Sequence, residues 1–167
     1  MKKNITKIPA NPDEILVYAF TGEALWKVQH VEQALNILIT LKMNSDKTRK
    51  EADIFLNEHQ KYTLGKAIKT AKDNNLLNSS LQDELNTFLK LRNWLVHKSM
   101  WDSQIINSNK KNIHELIDQF KSISNKAENI KSIIEYDMIE FSESRGRDMS
   151  KIRELLKLQE KGIREQK

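Results

Sequence analysis

A chain of 167 residues, 38% of them hydrophobic, supports one domain with a real core, residues 1–167. It contains no cysteine, which excludes disulfides, thiolate zinc sites and cysteine nucleophiles and suits a reducing cytoplasm. The net charge of +5 sits at the ends: residues 1–12 carry three Lys and no acid, residues 145–167 carry eight basic side chains against four acids, and the chain between them is therefore −2.

A basic N-terminal arm (1–12) and a basic C-terminal helix (145–167) suit a polyanionic partner, because neutralising phosphates releases counterions. Simple solubility is the plain alternative. The start, Met1 to Pro9, has no continuous apolar stretch, so it does not read as a secretory signal. The longest apolar-rich run, Leu35 to Leu41, is far short of the roughly 20 residues of a membrane-crossing helix. A cytoplasmic protein with no membrane partner is expected.

In chain order, Asn11 reads as the N-cap of a first helix, with Pro12 at its first position and Asp13 and Glu14 complementing the helix dipole. Ile15, Leu16, Ala19, Phe20, Leu25, Val28, Val31, Leu35, Leu38 and Leu41 recur mostly at threes and fours, which predicts one buried stripe. Gly22 within it suggests a close helix contact or a bend. Asn44-Ser45-Asp46 ends the helix, and a second runs to about Asn57 with Ala52, Ile54 and Phe55 as apolar content. Thr63 caps a short helix from Leu64 to about Lys72, which leads to two polar turns. Ser80 is the expected N-cap of a helix carrying Leu81, Leu85, Phe88, Leu89, Leu91 and Leu95. After a break at Asn107 to Asn109, a long helix carries apolar residues from Ile113 to Phe141 at a period near 3.5, a core or dimer seam. A basic helix, Met149 to about Ile163, follows the Arg145-Gly146-Arg147 joint. The fold class is all-α, a bundle of about five to six helices.

The chemistry-bearing segment is Lys90-Leu91-Arg92-Asn93-Trp94-Leu95-Val96-His97-Lys98. On an ideal helix Asn86, Lys90, Asn93 and His97 fall within about 60° of one another, a polar stripe opposite Leu81, Leu85, Phe88 and Val96. Arg92 projects instead from the apolar face, where a guanidinium must find an anion or reach water. An Arg and a His beside an RNA phosphate are the minimum for metal-free strand cleavage. A neutral imidazole takes the ribose 2′-hydroxyl proton or, once protonated, assists the leaving oxygen, and Arg answers the charge building on phosphorus. Asn93, one turn before His97, can orient the imidazole; Lys90 and Lys98 add positive potential for RNA. Five residues turn an ideal helix by about 500°, which leaves Arg92 and His97 near 140° apart, a separation that pairing two motifs across a two-fold axis relieves.

Arg92-Asn93-Trp94-Leu95-Val96-His97 resembles the Arg-polar-x-x-x-His signature of HEPN domains, found in toxins, abortive-infection proteins and CRISPR effector nucleases. An Arg-to-His match at the tolerated spacings arises about 0.4 times by chance in such a sequence; the Asn next to Arg92 lowers that to about 0.04. The resemblance implies an all-α homodimer whose two motifs form one composite site, cleaving RNA without metal or cofactor to leave a 2′,3′-cyclic phosphate. It also implies a toxin or antiviral defence effector, restrained by a cognate antitoxin or other regulatory protein. The alternatives are a HEPN-like module that binds RNA or nucleotide, or dimerises, without cleaving, and a plain helical interaction protein in which Arg92 makes a buried ion pair and the motif is accidental. Nucleotidyltransferase-paired members carry a Tyr two places after the His, where this chain has Ser99.

His30, His59 and His114 lack partners at metal-ligand spacing and read as surface or capping residues, and Asp83 and Glu84 as helix-dipole partners. Trp26, Trp94 and Trp101 are packing residues before they are base-stacking platforms; Trp94, expected on the motif's outer face, is the best of them for an RNA or dimer contact.

Overall fold

Asn11 starts the first helix through a reciprocal cap. Its side chain accepts the Glu14 backbone N–H at 2.9 Å while the Glu14 carboxylate accepts the Asn11 N–H at 2.9 Å. Thr48 and Glu51 repeat the device for the second helix, and Thr63 caps the third. The fourth is capped by Asn78, whose Oδ1 accepts the Leu81 N–H at 2.8 Å, and not by Ser80, which lies inside the first turn. Asn and Ser are comparably good caps, and the chain uses the one immediately after the turn.

The computed structural model describes residues 11–99 and 110–160. Among them the chain forms helices α1 (Pro12–Met43), α2 (Arg49–His59), α3 (Leu64–Asp73), α4 (Ser79–His97), α5 (Lys110–Ser144) and α6 (Ser150–Glu160) and no strand, so the all-α bundle holds. The basic arm up to Ala10, Trp101, the break at Asn107 to Asn109 and the terminal helix beyond Glu160 lie outside the described residues. Two left-handed residues close helices. Asn75 (φ 51°) follows α3, with Leu76 N–H bonding back to Ala71 O, and Gly146 (φ 76°) follows α5, with Arg147 N–H bonding back to Ser142 O.

α1 and α5 form the most extensive interface, and they run parallel: Phe20 meets Lys121, Lys27 meets Glu128 and Lys42 meets Asp137 in succession. α4 lies antiparallel to α5, with Trp94 near Phe120 and Glu84 near Lys126. One core joins Val28, Val31, Leu35 and Leu38 of α1, Leu64 and Ile68 of α3, Leu81, Leu85, Phe88 and Leu95 of α4, and Phe120, Ile123, Ile130 and Ile134 of α5. The period near 3.5 on the long helix is therefore spent on this core, although Ile133 on it is exposed. Lys42 ties three parts together, donating to both Asp137 oxygens at 2.7 and 2.8 Å and to Leu76 O at 2.8 Å.

Three expectations are corrected by packing. The stripe on α1 is buried only from Ala24 onward; Ile15 and Leu16 are exposed, as are Tyr18 and Trp26, because the described core begins further along the helix. A methyl added at Gly22 would meet nothing within 4 Å among the described residues, so that glycine makes no close helix contact there. Ile54 on α2 is exposed, since α2 touches the bundle through α1 alone among the major helix contacts.

The cap assignment has a direct check. Asn78→Ala should lower stability by about 1 kcal/mol in a denaturant titration, whereas Ser80→Ala should stay within about 0.5 kcal/mol of wild type.

Candidate functional site

α4 presents the motif as the polar stripe requires: Asn86, Lys90, Asn93 and His97 are all exposed, on the side away from buried Leu81, Leu85, Phe88 and Leu95. Val96 departs from that division. It is 44% exposed next to His97 at the end of α4.

Arg92 finds an anion. Its Nε donates to Glu32 Oε1 of α1 at 3.2 Å, with both side chains about one-fifth exposed, and its Nη1 donates to Asn93 Oδ1 at 3.4 Å. The guanidinium that looked misplaced on the apolar face thus bridges α4 to α1. Glu32 escaped the sequence reading because it is 60 residues away and sits in an ordinary i, i+3/i+4 helical pattern that marks no partner.

His97 closes α4, exposed and without a hydrogen bond to any described residue. Lys98 is the C-cap, its backbone N–H bonded to Trp94 O at 2.8 Å, and its side chain is exposed. No hydrogen bond or ion pair joins Arg92 to His97: one reaches toward α1 and the other lies in the exposed stripe, as the angular separation on α4 requires.

Trp94 is not on the outer face. It is half-buried against Phe120, ring centroids 6.0 Å apart, and belongs to the rim of the core. Ser99 is buried, with its hydroxyl donating to Leu95 O at 2.5 Å. Two basic residues of the C-terminal segment are answered within the protein, Arg145 by Asp46 at 3.1 Å and Arg153 by Glu143 at 2.7 Å, while Lys151 and Lys157 carry no such pair among the described residues.

The other histidines sort by packing. His30 stacks edge-on against exposed Trp26 at 5.1 Å, and His114 is exposed. His59, expected on the surface or at a cap, is buried instead, its Nδ1 2.7 Å from the Thr40 hydroxyl. Thr40 also reaches Asn36 O at 2.8 Å, so one hydroxyl serves both partners. Burial holds the His59 imidazole below its ordinary range, with nearby Lys66 adding to the effect and Glu58 opposing it. No group of three or more His, Asp or Glu able to hold a metal ion occurs among the described residues. No helix there is long and apolar enough to cross a membrane. No protein-family profile, curated protein or solved structure matches this chain.

Two measurements follow. Because the native state resists protonating His59, the unfolded chain binds more protons below its ordinary value of 6.5. Stability should be full above about pH 6.5 and fall as pH drops from there toward the lowered native value, and His59→Gln should flatten that acid limb in thermal melts. For the half-buried ion pair, Glu32→Gln should cost about 1–2 kcal/mol, between exposed and buried pairs, and a double-mutant cycle with Arg92→Met should give less than the sum of the single losses.

Proposed function

We propose that this protein is a metal-independent endoribonuclease of the HEPN type, acting as a homodimer in the cytoplasm as a toxin or antiviral defence effector under a regulatory partner. The observation that carries the reading is the motif's disposition: Arg92 is held in place on one side of α4 while His97 is exposed at its end, with no hydrogen bond to a described residue.

In this reading His97 takes the proton from the ribose 2′-hydroxyl, the 2′-oxygen attacks the adjacent phosphorus, and the bond from phosphorus to the 5′-oxygen breaks. The cyclic phosphate forms with no outside reactant. The proton returns to the leaving 5′-oxygen through an imidazolium. Arg92 stabilises the charge on the phosphoryl oxygens. Glu32 takes the Nε hydrogen and Asn93 one Nη1 hydrogen, so the guanidinium is oriented while its other N–H donors are available to a phosphate. Lys90 and Lys98, both exposed on α4 or its cap, raise the local positive potential. The 140° between Arg92 and His97 is accommodated when two motifs face each other across a two-fold axis, one protomer's arginine beside the other's histidine. Exposed Val96 beside His97 supports a contact at that end of α4.

A second reading has a specific observation in its favour. The Arg92–Glu32 pair gives Arg92 a structural task, which suits a plain helical interaction protein in which the motif is accidental, and equally a module that binds RNA or nucleotide without cutting it.

Cleavage of a labelled RNA decides between them. His97→Ala should lower the rate by at least about 10²-fold with the melting temperature near wild type. Arg92→Lys should also be damaging because it loses the planar fork. A chelator should leave the wild-type rate unchanged, and light scattering at micromolar concentration should give a dimer mass. Full activity in folded His97→Ala, or loss of wild-type activity on chelation, overturns the proposal; unchanged RNA binding with no cleavage in any form supports the second reading.

A further inference from the structure

α2 is held on the bundle by little. Of its apolar residues Ile54 is exposed and Ala52, Phe55 and Leu56 are only half-buried, and the one buried side chain among those described on α2 is His59. Ala52 and Leu56 do not close on α1 either. With Asp53 they line one side of an open cleft of about 400 Å³, and Ile37, Thr40 and Leu41 of α1 line the other. No residue of α2 belongs to the core that joins α1, α3, α4 and α5. The helix is pinned by an imidazole at its end and not by an apolar cluster.

That imidazole fits only when neutral. Thr40 gives its single hydroxyl hydrogen to Asn36 O at 2.8 Å, so its oxygen receives the Nδ1–H of His59 across 2.7 Å. A second proton must go to Nε2, for which no described residue offers an acceptor. Burial weighs most against the charged ring. Glu58 on its own helix favours an imidazolium and Lys66 of α3 opposes one, while α1 meets the ring with the uncharged Thr40. The Tyr62 ring, 5.0 Å away, is the nearest surface that attracts a cation, and it already holds the Lys66 ammonium 3.7 Å from its centroid.

We propose that α2 is an acid-released flap latched by His59: protonation of the buried imidazole detaches α2 from α1 while the core of α1, α3, α4 and α5 stays folded. Release uncovers Ile37, Thr40 and Leu41, so acid exposes a strip of α1 that the neutral protein keeps covered. The latch involves neither Arg92 nor His97. Its direction follows from linkage. The released imidazole titrates near its ordinary 6.5 and the docked one below it, so docking is complete above about pH 6.5 and weakens about tenfold per pH unit beneath it until the lowered docked value is reached.

The test is amide hydrogen exchange on the full chain, corrected for intrinsic exchange, with the His59 imidazole followed by NMR from about pH 7.5 down to about pH 5. At the upper end the Phe55 and Leu56 amides of α2 should be protected. On acidification they should lose that protection by about tenfold per pH unit, and His59 should become charged over the same interval. The Leu35 and Phe88 amides of the core should remain protected where those of α2 no longer are. In His59→Gln the α2 amides should cease to respond to pH, whether or not glutamine keeps the helix docked. Four results overturn the latch: α2 unprotected already at the neutral end, α2 still protected at the acid end, α2 and the core losing protection together, or an acid response that persists in His59→Gln. A His59 ring that charges while α2 stays protected overturns it as well.

Discussion

The parallel packing of α1 on α5 is the constraint from which the rest of the structure follows. Two helices of 32 and 35 residues share one apolar seam, and the chain between them must leave the end of α1 and return to the start of α5. The described part of that connection, α2 to α4, packs on the pair, and α4 enters the core by Leu81, Leu85, Phe88 and Leu95. With α4 fixed by those four residues, its opposite face is committed to solvent. Asn93 and His97 are exposed because Phe88 and Leu95 are buried.

Arg92 projects from the apolar face of α4, and the bundle resolves the conflict locally. A guanidinium on an apolar face needs an anion, and α1 supplies Glu32. The pair has two consequences that pull in different directions. It limits the freedom of a long side chain, which a phosphate clamp requires, and it partly neutralises the charge that a phosphate seeks. Under the proposed function only the nitrogens turned away from Glu32 are left for a phosphate, which would approach from the Asn93 side, where the exposed stripe of α4 lies.

The bundle was legible in the sequence because the signals were local. Asn11 with Glu14, the polar turn after Met43 and Gly146 act within a few residues, and their geometry is as expected. Asn78 and Ser80 were indistinguishable on type alone. What failed concerns neighbours: Ile15 and Leu16 match the helical period but lie outside the described core, and His59 reads as polar yet is buried against Thr40. For the candidate site, periodicity placed the exposed stripe and marked Arg92 as anomalous, whereas the Glu32 partner depends on α1 meeting α4. No spacing along the chain encodes that meeting. Trp94 was misplaced because, two residues past Arg92, it turns away from the apolar face on an ideal helix, and its burial comes from packing on Phe120 of α5.

The central claim is a chemical one, that Arg92 and His97 cut RNA by attack of its own 2′-oxygen. The ends of the cleaved strands record this directly. Mass spectrometry of the products from a defined RNA, with His97→Ala run beside wild type, should find a 2′,3′-cyclic phosphate on one fragment and a 5′-hydroxyl on the other, both depleted in the variant. Fragments ending in a 3′-hydroxyl and a 5′-phosphate would mean that water, not the ribose, attacks the phosphate, and would contradict the account.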